Sequence, residues 1–226
     1  MTGRETTLLV IAKAPIAGFA KTRLTPPLDP RAAALVAAAS LLDTLDAVTR
    51  SGVTHRVVAF TGDLAVAERG AELARALEEF VVFPQRGPDF GTRLANAHAD
   101  AARFGGPVLQ IGMDTPQVGP DVLGAAARWL AEDDSVLLGP AEDGGWWALG
   151  LPVPQPAHLL SGVPMSTSRT GEMTRDMVRH CGFRVRDLPT FRDVDTFADA
   201  VAVAAVSGGR FAATVDAVRE HGLVTR

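Results

Sequence analysis

The sequence contains a single cysteine, Cys181, among its 226 residues. One cysteine excludes an internal disulfide and any zinc site built from several cysteines. The five histidines show no spacing typical of metal ligands. No Gly-x-Ser-x-Gly segment and no Cys–His pairing is present, so covalent hydrolase chemistry has little support.

The chain also lacks a strong excess of one charge and a long hydrophobic run near its start. Its 26 acidic and 22 basic residues give a formal net charge of -4. That balance, without a run of like charges, argues against a nucleic-acid-binding surface. The first apolar segment, Leu8 to Ala12, is too short for a signal sequence or a membrane span. We therefore expect a cytoplasmic protein that binds neither nucleic acid nor membrane.

What the sequence does contain is enough apolar material for a large core, since 47% of the residues are hydrophobic. At about 150 residues per domain the length suggests one or two domains, and α/β folds of this size often form one. No internal repeat and no long linker interrupts the chain. We expect a single domain that covers residues 1–226.

Predicted strands and helices alternate along the chain. Strands are predicted at residues 8–12, 56–60, 80–83, 108–112, 135–139 and 183–188, where apolar residues run continuously or nearly so. Asp29 and Pro30 open a helix that continues to Arg50, and Asp63 is a candidate cap for the next helix. This alternation predicts a three-layer α/β sandwich with a mainly parallel, Rossmann-like sheet. Ligands of such sheets bind beyond the carboxyl ends of the strands.

A basic loop, residues 13–24, follows the first predicted strand directly. Gly18 allows the backbone to approach a ligand closely. Arg23 can bind phosphate oxygens in a fork, and Lys21 supplies a mobile positive charge. The loop matches neither a Walker A motif nor Gly-x-Gly-x-x-Gly. A solvated basic loop remains an equal alternative to a phosphate site at this point.

Acidic residues follow the fourth strand and appear again late in the chain. Asp114, just beyond a buried strand, is placed to hold a hard cation, although a turn-capping role is the simpler interpretation. Asp193 and Asp195 share one face if their segment is extended, which makes Asp195 a candidate second metal ligand. The alternative is that Asp195 or Thr196 caps the following helix.

Two further segments combine small residues, hydroxyls and tryptophan. Gly144 and Gly145 give an accessible backbone before Trp146 and Trp147, which point to opposite faces of an extended chain. A bulged hairpin with core tryptophans is the competing interpretation. The hydroxyl-rich loop 164–170, with Ser166, precedes a helix and offers N–H groups to an anion, or simply caps that helix.

Four motifs in a fixed order support a family resemblance. They are Lys-x-Pro-x-x-Gly-x-x-Lys-Thr-Arg-Leu, Gly-Met-Asp-Thr-Pro, Asp-Gly-Gly-Trp-Trp and Asp-Val-Asp-Thr, which begin at residues 13, 112, 143 and 193. The sequence resembles the DUF2064 family, a branch of the nucleotide-diphospho-sugar transferase (GT-A) superfamily. It is more distantly similar to the 2-phospholactate guanylyltransferases, which lack the Asp-Gly-Gly-aromatic segment in this form, so their acceptor does not carry over.

The resemblance implies a GT-A fold and a role for several residues. Lys21 and Arg23 match the loop that clamps the β- and γ-phosphates of a nucleoside triphosphate. Asp114 and Asp195 match positions that bind Mg²⁺, or Mn²⁺ in its place. The full set of residues expected to contact the nucleotide or the acceptor is Lys13, Gly18, Lys21, Arg23, Gly144, Gly145 and Ser166.

The hypothesis that follows is a Mg²⁺-dependent nucleotidyl transfer. A small anionic acceptor attacks the α-phosphorus of a nucleoside triphosphate and pyrophosphate leaves, with Lys21, Arg23 and Asp114 as the catalytic residues. A glycosyl transfer from a nucleoside-diphosphate sugar on the same fold is the alternative. A nucleotide-binding regulator without turnover is a third hypothesis, which the intact Asp114 and Asp195 disfavour.

Overall fold

A computed structural model describes residues 4–220 of the chain. Its centre is a seven-stranded sheet, with the strands arranged in the order β3-β2-β1-β4-β6-β5-β7. The strands are β1 Thr7–Lys13, β2 His55–Thr61, β3 Val81–Pro84, β4 Val108–Gly112, β5 Val136–Pro140, β6 Trp146–Leu151 and β7 Val185–Asp187. The six strands predicted from the sequence are all present.

The remaining strand, β6, runs antiparallel to both of its neighbours, β4 and β5, whereas the other pairs in the sheet are parallel. The sequence predicts opposite orientations for the two tryptophans if their segment is extended, but it does not predict a strand there. β6 follows β5 through a tight turn, and the register of this hairpin shifts at Gly139 and Pro140. The bulged hairpin of the alternative is therefore observed, but only Trp147 is a core residue, whereas Trp146 on the opposite face is partly exposed.

Residues 4–220 contain seven α-helices: α1 Pro30–Arg50, α2 Gly70–Leu77, α3 Phe90–Ala101, α4 Pro120–Glu132, α5 Thr170–His180, α6 Phe197–Ala204 and α7 Gly209–Glu220. The predicted start of α1 is confirmed, because the Asp29 carboxylate accepts a 2.8 Å hydrogen bond from the Ala32 amide and Pro30 is the first helical residue. The sequence also predicts a helical segment from Phe211 to His221, and His221 lies outside the described range.

The prediction that Asp63 caps the second helix is wrong. Its carboxylate accepts a hydrogen bond from the Ala65 amide and caps a 3₁₀ turn at Leu64–Val66. The helix α2 begins only at Gly70, after Arg69 adopts a left-handed conformation with φ 54°. Asp63 is therefore a cap, as predicted, but of a 3₁₀ turn that precedes α2 and not of α2 itself.

Apolar side chains on both faces of the sheet explain the three-layer arrangement. Leu8 and Val10 point to the layer that contains α1, α2 and α4, whereas Leu9 and Ile11 point to the layer that contains α3 and α5. Such two-sided burial is typical of a parallel sheet covered by helices. The predicted fold class is thereby confirmed.

Helix α1 is long and apolar enough to pass a length-and-composition test for a membrane span. In the fold, however, 78% of its most apolar window is buried. One side of α1 packs in the core with the sheet, and another packs against α6 and α7. Its apolar composition is accounted for by this double burial, as in the core helices of globular proteins.

Candidate functional site

A cleft of about 420 Å³ lies at the edge of the sheet where β1, β4 and β5 end. Seven of the residues predicted for the site line it: Lys13, Lys21, Arg23, Asp114, Gly145, Ser166 and Asp195. Gly18 and Gly144 are not among the lining residues. The structure thus brings together groups that are up to 182 positions apart in the numbering, from Lys13 to Asp195.

Lys21 lies at the centre of the charged part of the cleft. Its Nζ atom is 2.6 Å from Oδ1 of Asp114 and 3.6 Å from Oδ1 of Asp195, and it also donates a hydrogen bond to the Val194 carbonyl. Only 8% of its side chain is exposed. The backbone at Lys21 is left-handed, with φ 53°, a conformation that is uncommon outside glycine and often found at functional sites. A cation is therefore held among three oxygen atoms.

Arg23 reaches the same cluster from its rim. Its Nη1 atom donates a 2.8 Å hydrogen bond to Oδ2 of Asp195. In contrast to Lys21, 66% of its side chain is exposed, so this ion pair alone contributes little to stability. An exposed guanidinium beside a cleft remains available to bind an incoming anion.

Asp114 follows β4, and its surroundings decide between the two roles considered for it. Its carboxylate pairs with Lys21, and no backbone amide of the following turn is seen to donate a hydrogen bond to it among the described residues. The turn-capping role is therefore not observed for Asp114. Its main-chain carbonyl accepts a 2.9 Å hydrogen bond from the Val194 amide. The segment with Asp193 and Asp195 is fixed in this way against the end of β4.

Three carboxylates gather beside this pair. Ligand atoms of Asp143, Asp193 and Asp195 all lie within 4.8 Å of one another. Burial, together with repulsion from Asp143 and Asp195, raises the pKa of Asp193 to about 6. Repulsion of this kind is relieved when a cation binds between the carboxylates. Oxygen ligands at such a spacing suit a hard divalent cation.

The helix-capping alternative for the late acidic segment is resolved in favour of Thr196. Its hydroxyl accepts a hydrogen bond from the Asp199 amide, and the Asp199 carboxylate accepts from the Thr196 amide, forming a capping box at the start of α6. Because Thr196 performs this role, the Asp195 carboxylate is left for Lys21 and Arg23.

Lys13, the last residue of β1, supplies a further positive charge to the cleft. Its side chain also lies over the ring of Phe19, with 5.5 Å between Nζ and the ring centroid. Burial lowers the pKa of Lys13, with repulsion from Lys21 acting in the same direction and attraction to Asp114 opposing it. An anion that entered the cleft would oppose this lowering.

The glycines of the site differ in what surrounds them. Gly144 has φ 89°, and a Cβ atom there would lie 2.0 Å from the Ser168 carbonyl oxygen. Its own carbonyl accepts a 2.9 Å hydrogen bond from the Gly171 amide. The β5–β6 turn is therefore packed backbone to backbone against the start of α5. Gly18 also has a positive φ, 75°, but a Cβ atom there would meet nothing within 4 Å.

Ser166, from the loop before α5, lines the cleft in a left-handed conformation with φ 59°. Arg169 precedes α5 and makes no side-chain cap. In the same loop the Thr170 hydroxyl accepts from the Thr167 amide and donates to the Pro164 carbonyl. These bonds hold the loop against the cleft and leave the Ser166 side chain exposed there.

Several lining residues are not predicted from the sequence. Asp143 is recognisable only as part of a glycine turn, although it stands in the loop after a predicted strand, as Asp114 does. Gln110 stands as a polar residue inside the otherwise apolar strand β4, and this break in the pattern was the available signal. Phe90 and Met165 gave no comparable signal, because apolar residues at such spacings usually belong to the core.

The chain has the fold of the nucleotide-diphospho-sugar transferases, with its cleft at the carboxyl ends of the strands. A Desulfovibrio desulfuricans G20 protein provisionally named a nucleotide-diphospho-sugar transferase is 25% identical to the chain, with a TM-score of 0.81 over 97% of this chain and 96% of that one. The chain belongs to the family described as uncharacterized proteins conserved in bacteria (DUF2064), whose profile matches residues 44–167. The predicted family is confirmed.

More distant structures share the fold. A nucleotidyl transferase from Methanothermobacter is 18% identical, with a TM-score of 0.54 over 89% of this chain and 96% of that one. A Mycobacterium tuberculosis protein solved with manganese is also 18% identical, with a TM-score of 0.53 over 88% and 97%. No curated protein matches the sequence. The neighbours with named activities are transferases, which confirms the predicted enzyme class.

Proposed function

We propose that this protein, as one catalytic unit of residues 1–226, is a divalent-metal-dependent nucleotidyltransferase. It joins a nucleoside monophosphate unit from a nucleoside triphosphate to a small anionic acceptor. The observation that carries the proposal is the position of Lys21 and Arg23, whose cationic groups contact the carboxylates of Asp114 and Asp195 at the sheet edge. The cationic groups suited to phosphates are thereby adjacent to the carboxylates suited to a metal ion.

The described residues fit a divalent metal ion. Asp143, Asp193 and Asp195 offer oxygen ligands within 4.8 Å of one another, and Mg²⁺ and Mn²⁺ both accept such ligands. Asp114 would be available as a further ligand if Lys21, with which it pairs, bound a phosphate instead. When bound, the metal ion supplies charge neutralisation for phosphate oxygens. The manganese complex of the Mycobacterium tuberculosis neighbour supports this assignment.

The chain's own residues act mainly by position and charge. The acceptor oxygen forms a bond to the α-phosphorus, the bond from that phosphorus to the bridging oxygen breaks, and pyrophosphate leaves with the electron pair. Lys21, Arg23 and Lys13 hold the negative charge of the departing pyrophosphate, and Gly145 lets the backbone approach the acceptor. Loss of one electrostatic contact of this kind typically costs on the order of 10²–10³ in rate.

The alternative function is glycosyl transfer from a nucleoside-diphosphate sugar. The name of the Desulfovibrio desulfuricans neighbour favours it. The number of cations favours nucleotidyl transfer, because Lys13, Lys21 and Arg23 all line the cleft and a triphosphate carries more negative charge than a diphosphate sugar. A regulator without turnover has no observation of its own in its favour.

A thermal unfolding screen with Mg²⁺ or Mn²⁺ and each nucleotide tests the proposal. A ligand at 100 times its dissociation constant adds about 2.7 kcal/mol of stability, and each kcal/mol raises the Tm of a protein of this size by roughly 2–4 °C. We expect a nucleoside triphosphate to raise the Tm and a pyrophosphate-release assay to detect turnover. Stabilisation by nucleoside-diphosphate sugars alone would overturn the assignment in favour of glycosyl transfer.

The partners that we propose are a nucleoside triphosphate and a small-molecule acceptor in the cytoplasm. The cleft volume of about 420 Å³ falls within the range of small-molecule sites. The charge balance of the sequence supports a role without nucleic acid. The burial of α1 in the core supports a role without a membrane.

A further inference from the structure

Two cations at the cleft differ from Lys21 and Arg23 in having no carboxylate partner. Lys13 lines the cleft at the end of β1, and Arg93 is the fourth residue of α3. Neither side chain forms an ion pair with any group in residues 4–220. Lys21 and Arg23, in contrast, are neutralised by the carboxylates of the cleft.

Each of these two cations lies beside the ring of a phenylalanine. The Nζ atom of Lys13 is 5.5 Å from the centroid of the Phe19 ring, and the guanidinium carbon of Arg93 is 5.9 Å from that of Phe90. The two phenylalanines are 44% and 41% exposed. Cation–aromatic contacts are weak at exposed positions, so both charges remain available to a stronger, anionic partner.

The acidic residue one turn before Arg93 does not neutralise it. The Asp89 carboxylate caps α3 and accepts hydrogen bonds from the Thr92 amide and hydroxyl, at 2.7 and 2.8 Å. These hydrogen bonds lower the pKa of Asp89, and attraction to Arg93 adds a smaller effect. The Nε–H group of Arg93 is buried without a hydrogen-bond partner among the described residues. An unsatisfied buried donor is unfavourable, and a ligand oxygen can satisfy it.

Arg93 and Lys13 are close enough to repel each other. Burial lowers the pKa of Lys13, and repulsion from Lys21 and Arg93 acts in the same direction, against attraction to the cleft carboxylates. Phe90 and Leu94, which flank Arg93 along α3, both line the cleft. A rotation of the long Arg93 side chain past Phe90 brings its guanidinium into the cleft, and such rotations are common on binding. An anion between the two cations would replace their repulsion with two attractions.

We propose that Lys13 and Arg93 form a phosphate-binding subsite of the cleft, separate from the cluster in which Lys21 pairs with carboxylates. The mobile ammonium of Lys13 and the fork of N–H donors on Arg93 are complementary to the oxygens of a phosphate group. That group belongs either to the terminal phosphates of the nucleotide or to the acceptor. The inference rests on the proposed function and adds Arg93 to the residues that bind substrate.

Calorimetric titration of the full-length protein in Mg²⁺ tests the subsite and distinguishes the two sources. Inorganic pyrophosphate represents the terminal phosphates of the nucleotide. Orthophosphate, added to the complex with a non-hydrolysable nucleoside triphosphate analogue, represents the acceptor. Arg93→Gln is expected to weaken the binding of at least one probe by about tenfold or more. Arg93→Lys should recover part of this loss, because the charge returns without the fork of donors.

Arg103→Gln is the matched control. Arg103 also lies beside a phenylalanine ring, 4.6 Å from the centroid of Phe83, but neither residue lines the cleft. This variant loses the same charge and should bind both probes as tightly as the unsubstituted protein does.

A loss of pyrophosphate affinity in Arg93→Gln would assign the subsite to the nucleotide, and a loss for orthophosphate alone would assign it to the acceptor. The inference would be overturned if Arg93→Gln, with an unchanged Tm, bound both probes as tightly as Arg103→Gln does. Failure of both probes to bind the unsubstituted protein would also overturn it. If Arg93→Gln weakens pyrophosphate binding but no nucleoside triphosphate stabilises the protein, the proposed function fails while the subsite stands, and the two failures are thus distinct.

Discussion

Removal of the positive charge at Lys21 is expected to have opposite effects on the binding of metal ion and nucleotide. In the structure the Lys21 ammonium lies 2.6 Å from Asp114 and 3.6 Å from Asp195, and so competes with a metal ion for the same carboxylates. A Lys21→Met variant retains most of the side-chain volume without the charge. It should bind Mn²⁺ more tightly in the absence of nucleotide, and it should bind a nucleoside triphosphate more weakly.

The size of the effect follows from the exposure of the partners. A hydrogen bond between charged groups contributes roughly 1.5–3 kcal/mol. The carboxylates of Asp114 and Asp195 are 43% and 34% exposed, so solvent screening reduces that value. We expect a net gain of about 1–2 kcal/mol for Mn²⁺, which is roughly a five- to thirtyfold decrease in Kd. Turnover with Mg²⁺ and a triphosphate should fall by about 10²–10³.

Titration of Mn²⁺ followed by electron paramagnetic resonance measures the first effect without any substrate. Arg23→Met is the matched control, because it removes an equal charge that contacts only one of the two carboxylates and is 66% exposed. Its Mn²⁺ affinity should change less than that of Lys21→Met. The competition between Lys21 and the metal ion would be refuted if a folded Lys21→Met protein bound Mn²⁺ no more tightly than the unsubstituted chain.

Three further predictions concern the metal ligands, the β5–β6 turn and the buried histidine. Asp195→Asn should weaken Mn²⁺ binding by at least about tenfold, since a neutral amide replaces a carboxylate of the cluster, while Tm changes little. Gly144→Ala should lower the Tm by roughly 4–12 °C, because its Cβ atom would lie 2.0 Å from the Ser168 carbonyl oxygen; this corresponds to about 2–3 kcal/mol. The pKa of His98 is lowered to about 4 from an unfolded value of 6.5. The stability that follows from this pKa difference is therefore fully present above pH 6.5 and is lost as the pH falls toward 4. The free energy of unfolding measured in urea should decrease by about 3 kcal/mol over this range.

Each of these predictions has its own check. Full Mn²⁺ affinity in Asp195→Asn would remove Asp195 from the proposed ligands. Gly18→Ala, at φ 75° with open space around its Cβ, should lose less stability than Gly144→Ala, and equal losses would show that φ alone matters. A His98→Leu variant should lack the acidic loss of stability, and an unchanged pH profile in that variant would assign the loss to other groups.

The sequence was sufficient wherever function depends on segments with a strong local pattern. The apolar run from Leu8 to Ala12 predicted a central strand, and the Asp29–Pro30 pair predicted the start of α1. Alternation of strands and helices then placed Asp114 and the basic loop at one sheet edge. This placement follows from the topology of parallel sheets and needs no knowledge of side-chain contacts.

The sequence was insufficient wherever a role depends on which distant groups meet. Asp143 and Asp114 both follow strands, but only the fold shows that Asp143 joins Asp193 and Asp195. The choice between Asp195 and Thr196 as the α6 cap depended on side-chain geometry that adjacent residues share. Strand β6 was missed because its antiparallel direction breaks the alternation on which the other strands were recognised.

The two main-chain hydrogen bonds of Val194 affect which substitutions the site can tolerate. Its N–H reaches the Asp114 carbonyl and its C=O receives the Lys21 ammonium, so the join between three distant chain segments is made by main-chain atoms that every amino acid except proline possesses. A substitution at position 194 by any residue other than proline alters packing but keeps both hydrogen-bonding groups. The side chains on either side, Asp193 and Asp195, are therefore not needed for these two main-chain bonds and remain available for the charged groups of the cleft.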